Sequence, residues 1–437
     1  MKNIFITLLI ISFTLLTSCR NSGSSQKSQF NQSENIGGSL RIDVDLTKQP
    51  VLYTSDLYDT MSYIPLETNP DCMIGTISTL LYIDNKFVIS DDNTTKSIFV
   101  FDSKGKFINK IGHQGRGPQE FDSPDDIVFN KYRNEIIIRS YNDKKLLTYK
   151  LDGSFVSEIK LNWWIRALSV LDENTLVLYF NNVVNNNIAK GEEYNFVCID
   201  LKGNVISRQM PFNSDNDKFS GPCESSFYSY KDSLRFFYPY QNTIFNVYKD
   251  SLVPKYFINY GKQNIPQDLT KGKTFRETRD ELTKLDVAIL SSFIETDSIL
   301  YLGTLYKKHA FSNIYNSVYF KKSGSIITSS LVINDLSTIF PSPIIMCISG
   351  DSLVGFCQPL QFAPVDEMYK NASGESKKVN EEMKRRFSKV PDGELKDEFF
   401  KSIDNAKFNL TQSEIDFVNS IKSEDNPVIV ILKLKNK

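Results

Sequence analysis

The chain has 437 residues, with 51 Lys and Arg against 52 Asp and Glu, and a formal net charge of −1. This balance gives no electrostatic basis for binding nucleic acid, so we predict no nucleic-acid partner. Aromatic residues make up 12% of the chain, with 31 Phe and 21 Tyr, which favours β-strands over helices.

The first 18 residues have the features of an export signal. Lys2 supplies a positive charge, and the mostly apolar run 4–16 is too short for a comfortable membrane span. The run ends in Leu16-Thr17-Ser18-Cys19, which resembles the bacterial lipobox, where the cysteine is acylated and the peptide is cut before it. We therefore predict a signal peptide over residues 1–18 and lipidation at Cys19. An ordinary cleaved signal with a coincidental Cys is the alternative.

Residues 19–38 are rich in Ser, Asn, Gln and Gly and have no strand pattern, so we predict a flexible tether. Arg20 follows the cysteine, and the sorting rules for such lipoproteins retain those with Asp there. The lipobox resemblance thus implies the outer membrane, with the lipid anchor at Cys19 making the membrane a partner. The tether lacks the acidic cluster that often marks surface display, which favours the periplasmic face over the cell surface.

From residue 39 to the C-terminus, the chain repeats a pair of hairpins. The first hairpin of each repeat joins two apolar runs by a polar turn rich in Asp, Asn, Ser or Gly. These turns lie near 84–86, 130–134, 172–174, 231–233, 297–298 and 350–352. A second hairpin follows in the first five repeats, at Gly105, Gly153, Gly203, Ser251 and Gly324. Because two hairpins make the four strands of a propeller blade, the sequence predicts an all-β, six-bladed β-propeller over residues 39–437.

The sixth repeat lacks a prompt second hairpin. In its place, residues 366–423 have a charged, helical pattern that Pro391-Asp392-Gly393 divides in two. The strand after this helical insertion, 428–434, has no sequence-adjacent partner, and neither does the N-terminal strand 62–67. Pairing the two strands would complete the last blade and remove two exposed edges, so we predict that the chain ends close the ring.

One segment identifies a related family. The run from Gly112 to Phe121, GHQGRGPQEF, resembles the G-x-G-P-x-E-aromatic segment of NHL-like six-bladed β-propeller lipoproteins of Gram-negative bacteria. The opening segment 63–67 and the closing segment 426–428 resemble that family as well. The likeness covers essentially the whole mature chain, and it implies the fold and an exported lipoprotein but no established reaction.

The same glycine-rich segment supplies candidate ligand contacts. Clustered glycines expose N–H groups to anions, but the Gly-Lys-Ser/Thr ending of a P-loop is absent and no helix pattern follows. We favour a tight inter-blade connection in which Gly115 and Gly117 supply unusual dihedrals. Arg116 and Glu120 are the candidate ligand-binding residues, because inter-blade loops crowd one face of a propeller.

Two adjacent tryptophans, Trp163 and Trp164, are further ligand-binding candidates, since an indole ring can stack on a sugar. The structural alternative is that they alternate across a strand entry. One ring would then fill the blade interface and the other would be exposed.

Evidence for catalysis is sparse. The pairs Asp91-Asp92 and Asp125-Asp126 suggest acid–base chemistry or Ca²⁺ ligands, although a turn explains the first pair more simply. No G-x-S-x-G motif is present, and the chain has only two His. The five Cys after Cys19 are widely spaced, so a Cys–His metal site is not expected and at least one thiol should be free. We predict no catalytic residues, no metal and no cofactor.

The sequence therefore predicts a membrane-anchored binding or scaffolding propeller for an unidentified small-molecule, glycan or protein ligand. The alternative is a hydrolase or lyase acting on a carbohydrate or lactone at the propeller axis. An axial cluster of Asp, Glu, Asn and His would favour the enzyme. An axis lined by aliphatic and hydroxyl side chains would favour the binding protein.

Overall fold

The computed structural model describes residues 38–47, 52–185, 193–221, 226–238, 240–308, 311–330, 332–334, 336, 343–362 and 411–435, and ten positions between 378 and 404. The predicted signal peptide, Cys19 and all of the predicted tether except Gly38 lie outside the described residues. No helix in the described part of the chain is long and apolar enough to cross a bilayer.

The described strands group into six blades. The N-terminal elements are β1 (Leu40–Asp43), β2 (Leu52–Tyr53), α1 (Thr54–Leu57) and β3 (Tyr58–Pro65). Blade 1 comprises β4 (Thr79–Ile83), β5 (Lys86–Asp91), β6 (Ser97–Asp102) and β7 (Phe107–Lys110). Blade 2 comprises β8 (Asp126–Asn130), β9 (Glu135–Ser140), β10 (Lys145–Lys150) and β11 (Phe155–Lys160). Blade 3 comprises β12 (Ala167–Asp172), β13 (Thr175–Tyr179), β14 (Glu193–Asp200) and β15 (Val205–Phe212).

The second half of the ring follows the same plan with longer connections. Blade 4 comprises β16 (Phe227–Tyr230), β17 (Ser233–Phe237), β18 (Thr243–Val247) and β19 (Leu252–Asn259), and α2 (Phe275–Leu282) follows it. Blade 5 comprises β20 (Asp286–Glu295), β21 (Ile299–Lys308), β22 (Phe311–Phe320) and β23 (Ile326–Ser329), and the short strand β24 (Val332–Ile333) follows it. Blade 6 begins with β25 (Ile344–Ser349) and β26 (Ser352–Cys357) and ends, after α3 (Gln412–Ser420), with β27 (Val428–Leu434).

The blades form a closed ring. In each blade the strands pair antiparallel, and the first strand is innermost. The innermost strands β4, β8, β12, β16 and β20 contact one another in turn, and β25 of blade 6 contacts β4 of blade 1. Blades 5 and 6 share a buried apolar cluster that includes Val318 and Leu353. The predicted six-bladed propeller is thus confirmed.

The two chain ends complete blade 6. Strand β27 pairs antiparallel with β3, from Val428 opposite Pro65 to Leu434 opposite Tyr58, as predicted. The N-terminal strand spans Tyr58–Pro65 rather than the predicted 62–67. Asn426, only 1% exposed, fastens the join. Its Nδ2 donates to the carbonyls of Glu67 (2.7 Å) and Cys72 (2.8 Å), and its Oδ1 accepts from the N–H of Ile74 (2.8 Å).

Tight turns join the strands because their residues tolerate the required dihedrals. Asp84 and Asn85, between β4 and β5, have φ of 48° and 57°, which is the left-handed pair of a two-residue hairpin. Gly203, between β14 and β15, has φ of 87°, where a side chain would be strained. The polar and glycine-rich turns recognised in the sequence therefore mark the hairpins correctly.

Most of the apolar core lies between neighbouring blades. In blades 1 to 3 the second strands are almost wholly buried, since both of their faces are covered, whereas the outer strand β11 alternates between partly buried and exposed side chains. This packing makes each blade depend on the next and gives a rigid frame for the loops.

Before it reaches blade 6, the N-terminal segment wraps the outside of blades 4 and 5. Strand β1 adds to the edge of blade 4 in parallel with β19, and β2 pairs in parallel with β24. Ile42, Val44 and Leu46, spaced two apart, are buried there. These strands were not predicted, although this spacing is the pattern of a strand with one buried side.

The segment between β26 and β27 contains helices. All ten described positions between 378 and 404 are helical, as is α3. The predicted break at 391–393 lies outside the described residues. Helix α2 was not predicted, although Thr274 and Glu277 form a capping box at its start, which is a recognisable sequence signal.

The ring has two different ends. We call the end that carries the turns within each pair of hairpin strands (first to second, third to fourth) the hairpin face. We call the other end, where one blade leads to the next and the second strand leads to the third, the connection face. The hairpin face has short turns, and the long segments 180–192, 213–226, 260–285 and 358–427 all leave from the connection face.

Candidate functional site

A carboxylate and a guanidinium meet where blade 2 reaches the inner end of the connection face. Asp126 begins the innermost strand β8, and Arg139 lies opposite it on β9, with Nε 3.9 Å from Asp126 Oδ2. Arg139 also donates to the carbonyls of Ile165 (3.0 Å) and Asp125 (3.2 Å). These contacts hold the guanidinium between blades 2 and 3.

The surroundings favour the neutral form of two neighbouring carboxyl groups. Burial raises the pKa of Asp126 to about 6, although Arg139 opposes this, and 25% of the Asp126 side chain stays accessible. Burial and the nearby charge of Asp92 also raise the pKa of Asp125. The hydrogen bond from the Tyr141 N–H and the charge of Arg139 oppose this shift without cancelling it. A proton on Asp126 is therefore exchangeable near pH 6.

A row of aromatic and cationic side chains extends outward from Arg139. The rings of Tyr141 and Trp164 are 4.9 Å apart, and Lys144 Nζ lies 3.9 Å from the Trp164 ring centroid. The guanidinium carbons of Arg139 and Arg166 lie 5.5 and 5.7 Å from the Tyr141 centroid. Cations in such positions are attracted to the ring faces. We call Arg139, Tyr141, Lys144, Trp164 and Arg166 the aromatic–cation row.

Two loops are locked together to form this row. Lys144 lies in the turn between β9 and β10, and Asn162 lies in the connection from blade 2 to blade 3. Both have positive φ, 55° and 62°, which is uncommon for residues other than glycine. The N–H groups of Leu161 and Asn162 donate to the Lys144 carbonyl at 3.1 and 3.3 Å. Strained backbone of this kind is often found at functional sites.

A side chain from blade 3 holds Trp164 in place. Asn185 Oδ1 accepts from the Trp164 N–H at 2.7 Å, and Asn185 Nδ2 donates to the Trp164 carbonyl at 3.5 Å. The indole is half-buried. Trp164 is thus a partly accessible aromatic side chain on a backbone fixed from both sides.

Carboxylate and amide groups flank the row. Asn142 Nδ2 donates to Asp122 Oδ2 at 2.8 Å. Asp143 Oδ2 accepts from Ser140 Oγ at 2.7 Å and from the Asp122 N–H at 2.8 Å. Asn142 and Asp143 belong to the turn that carries Tyr141 and Lys144, so acceptors for hydroxyl groups lie beside the aromatic rings.

The two tryptophans are separated as their alternation predicts. Trp163 is 7% exposed and packs edge-on against Phe180, 6.2 Å away, within the core between blades 2 and 3. Trp164 belongs to the aromatic–cation row. Of the two, only Trp164 is placed to meet a ligand.

The predicted contacts Arg116 and Glu120 lie away from this row. Glu120 Oε1 is 2.9 Å from His113 Nε2, and Glu120 Oε2 accepts from the N–H of Gly117 at 2.8 Å. The Gly117 N–H and His113 lower the pKa of Glu120. Arg116 is exposed. The Glu120 carboxylate therefore organises its own loop.

That loop is fastened to the outer part of blade 2. Gln119 N–H donates to Glu158 on β11 at 3.1 Å, and Lys145 on β10 donates to the Gly117 carbonyl at 3.4 Å. Tyr149 on β10 donates to the Gln119 carbonyl. These are the third and fourth strands of the blade, so the loop acts as a latch between blades 1 and 2 at the periphery of the connection face.

The predicted reason for the glycines in this loop is wrong. Neither Gly115 nor Gly117 has a positive φ; Gly112 (62°) and Gln119 (65°) do. A Cβ on Gly115 would lie 1.9 Å from Glu120 Oε2. Gly115 is needed because the carboxylate approaches the backbone closely.

Asp91 stabilises a turn, which was the simpler alternative to acid–base chemistry or Ca²⁺ binding for this residue. It is fully buried and accepts hydrogen bonds from the N–H groups of Gly75 and Thr94, both at 2.8 Å, and from the hydroxyl of Thr95 at 3.0 Å. Among the described residues, no group of three or more His, Cys, Asp or Glu is arranged to hold a metal ion. Cys72, Cys198 and Cys347 are free thiols.

The innermost strands carry few acidic groups. Their partly exposed positions are mostly apolar, aromatic or hydroxyl-bearing, as at Thr79, Leu81, Val128, Val170 and Ile345. Asp126 is the acidic exception in blade 2.

Most of the aromatic–cation row was not predicted from the sequence. Arg139, Tyr141 and Lys144 lie in one segment, whereas Trp164 with Arg166 and the clamping Asn185 lie in two others, and only the ring brings the three segments together. The one local signal is the pair of tryptophans followed by Arg166.

Comparisons with known proteins add the family and the fold. The model of a family described as a domain of unknown function (DUF4934) matches residues 39–390. A Bacteroides fragilis protein named as exported is 19% identical, with a TM-score of 0.67, over 91% of this chain and 100% of that one. A DUF4221 family member from Bacteroides vulgatus is 14% identical, with a TM-score of 0.45, over 70% of this chain and 93% of that one. No functionally curated protein matches the sequence. At these identities, the structural likeness shows the fold alone.

Proposed function

Because the chain belongs to the DUF4934 family, whose description states no activity, we propose a function from its own side chains. The protein is an exported, lipid-anchored binding propeller that holds a hydroxylated ligand at the aromatic–cation row on the connection face of blades 2 and 3.

The observation that carries this proposal is the fixed position of Trp164. Trp163 already fills the core, so the fold does not need a second indole beside it. Asn185 nevertheless clamps the Trp164 backbone, while Tyr141 and Lys144 contact its ring. A partly accessible aromatic side chain that is ordered before binding loses little entropy when a ligand arrives.

The rest of the ring supports binding rather than scaffolding alone. A rigid frame with long loops at one end is a common way to present a ligand site. The partly exposed positions of the innermost strands are mostly apolar or hydroxyl-bearing, which is the composition expected of a binding protein.

Membrane anchoring is the second part of the proposal. It is supported by the lipobox-like Leu16–Cys19 and by the exported Bacteroides fragilis protein of similar fold. The chain enters β1 from the hairpin-face side, and a flexible tether of residues 19–38 would span roughly 25 Å. The connection face would then point away from the membrane.

Metabolic labelling with an alkyne fatty acid tests the anchor. The wild-type chain should carry the label and sediment with outer membranes, and Cys19→Ala should lose both properties. An unlabelled wild-type chain would overturn the anchor while leaving the binding site untouched.

Tryptophan fluorescence tests the binding site, because the chain has only two Trp. In the Trp163→Phe variant, Trp164 is the single reporter. Titration with a panel of neutral and acidic oligosaccharides should give a saturable change in this variant. The matched Trp164→Phe variant, which keeps the buried Trp163, should give none. Equal responses from both variants would show that the ligand binds elsewhere.

A second candidate function is a hydrolase or lyase at the same site. The observation that favours it is Asp126, whose pKa of about 6 beside Arg139 suits a proton donor or acceptor. Incubation with carbohydrates and lactones, followed by product analysis, separates the two functions. Turnover that Asp126→Asn abolishes would establish the enzyme, whereas binding without turnover supports the binding propeller.

A further inference from the structure

Lys144 is a cation that forms no ion pair with any of the described residues. No carboxylate lies within ion-pair distance of its Nζ in the part of the chain that the structure describes, and its contact is with the Trp164 ring. Lys131, Lys231, Lys249 and Lys321, all on the hairpin face, each pair with a carboxylate. Lys144 is half-buried and its backbone φ is unfavourable. Its ammonium group is thus available to an anion from outside.

The groups beside Lys144 limit how much negative charge that ligand can carry. Four carboxyl groups, Asp122, Asp125, Asp126 and Asp143, lie in the segments that form the site, against the three cations of the row. A ligand with many phosphate or sulfate groups would meet this acidic surround and be repelled. A single carboxylate directed at Lys144 avoids the repulsion.

The same carboxyl groups are suited to hydroxyl donors. Asp122 and Asn142 already form a hydrogen-bonded pair, and such planar groups can bridge neighbouring hydroxyls. The C–H face of a sugar ring packs on the edge or face of an indole or phenol ring. An aromatic acid would use the rings and Lys144 but would leave the carboxylate acceptors without donors.

The available ammonium group of Lys144, the acidic groups that limit the ligand's charge, and the hydroxyl acceptors beside the aromatic rings together define one ligand class. We propose that the aromatic–cation row binds a hexuronic acid unit of an oligosaccharide, with Lys144 pairing with its carboxylate, Trp164 packing on its ring and the flanking Asp and Asn side chains accepting from its hydroxyls. This inference rests on the proposed binding function. It adds the charge of the ligand and the residue that recognises this charge.

Calorimetry on the full chain with matched sugars tests the inference. The acidic probes are tetramers of galacturonate and of mannuronate, and the neutral probes are tetramers of galactose and of mannose. Wild-type protein should bind at least one acidic tetramer about tenfold or more tightly than its neutral counterpart. Raising the NaCl concentration should weaken only the acidic tetramer, since salt screens the ion pair.

Variants at Lys144 separate charge from folding. Lys144→Gln should weaken binding of the acidic tetramer about tenfold and leave the neutral tetramer unchanged, while Lys144→Arg should retain most of the preference. Lys202→Gln removes one positive charge from an exposed turn of the hairpin face and should change neither affinity. Unchanged melting temperatures would exclude misfolding as the cause.

The outcomes distinguish the two proposals. Equal affinity for acidic and neutral tetramers, with no effect of Lys144→Gln, would overturn the hexuronate assignment and leave the binding site standing. Binding of neither tetramer also overturns the assignment. If the fluorescence of Trp164 also responds to none of the oligosaccharides, the proposed binding function is overturned as well.

Discussion

The two ends of the propeller use their charged side chains differently. On the hairpin face, lysines pair with carboxylates of neighbouring turns: Lys131 with Asp232 at 2.7 Å, Lys231 with Asp297 at 2.9 Å and Lys249 with Asp172 at 2.9 Å. On the connection face, Lys144 lies on an indole ring with no carboxylate partner among the described residues. These lysines on the hairpin face are thus paired within the protein, whereas the ammonium group of Lys144 is left for a ligand.

A cavity on the hairpin face sharpens the contrast. It has a volume of about 270 Å³ and lies between blades 3 and 4, lined in part by Asp172, Asp232, Tyr248 and Lys249. Its two carboxylates and its lysine already have ionic partners. A concave shape is therefore a weaker guide to the ligand site here than a fixed aromatic ring beside an unpaired cation.

The largest effect is expected at the hairpin end of blades 4 and 5. Glu295, 2% exposed, accepts from Arg235 Nε (2.9 Å), Tyr256 OH (2.7 Å) and Lys321 Nζ (2.8 Å). Glu295→Gln leaves two cations in a buried site, so we expect the free energy of unfolding to fall by about 3–5 kcal/mol in urea denaturation. The exposed Asp232→Asn is the control and should leave the midpoint unchanged. Similar midpoints for the two variants would contradict a structural role for buried charge at this end.

Removing the charge of Asp126 on the connection face should stabilise the folded protein, whereas removing that of Glu295 should destabilise it. Its pKa lies above the ordinary 3.8, at about 6, so the folded protein holds this proton more tightly than the unfolded chain does. This contribution to stability is present below pH 3.8 and is lost as the pH rises to about 6; the difference corresponds to roughly 3 kcal/mol at most. Asp126→Asn should therefore be more stable than wild type at pH 7.5, with a much smaller gain at pH 4. The same gain at both pH values would refute a raised pKa.

A smaller effect is expected in the peripheral latch of the connection face. Gly115→Ala places a methyl group against the Glu120 carboxylate and should lower the free energy of unfolding by about 1–2 kcal/mol, measured by denaturant titration. In Gly117→Ala the nearest Glu120 atom is 3.0 Å away, so the loss should be less. Ligand affinity should not change in either variant, since the latch is remote from the row. Weakened binding in Gly115→Ala would instead indicate that Arg116 and Glu120 belong to the ligand site.

The smallest change in stability is expected for Asn185→Ala, since the lost hydrogen bonds are only partly buried and cost about 1 kcal/mol. The variant should instead loosen Trp164. In the Trp163→Phe background, we expect lower fluorescence anisotropy, greater quenching by iodide and ligand affinity several-fold weaker. Unchanged anisotropy together with unchanged affinity would show that the clamp has no role in ordering the row.

The sequence predicted the ring well because its signals are local. Polar turns and alternating apolar residues mark each hairpin, and the two unpaired strands 62–67 and 428–434 indicated how the ring closes. Strand β1 was missed because it is four residues long and joins blade 4 through its backbone. The turn role of Asp91 follows from its position at a strand end.

The site was predictable only in part, since it depends on contacts between distant segments. Trp163 and Trp164 are adjacent, and their alternation correctly separates a core ring from an accessible one. Tyr141 and Lys144 come from the turn of another blade, and nothing local distinguishes that turn from its counterparts. The glycine-rich segment drew attention to Arg116 and Glu120 because it is distinctive, but its glycines make room for an internal carboxylate.

Hydrogen–deuterium exchange of the full chain with and without tetragalacturonate or tetramannuronate tests the assignment of ligand binding to the connection face most directly. We predict protection in segments 139–144 and 161–166, with no change in the hairpin-face turns near Lys131, Asp232 and Lys249. Protection of those turns, or of the cavity between blades 3 and 4, would contradict the account.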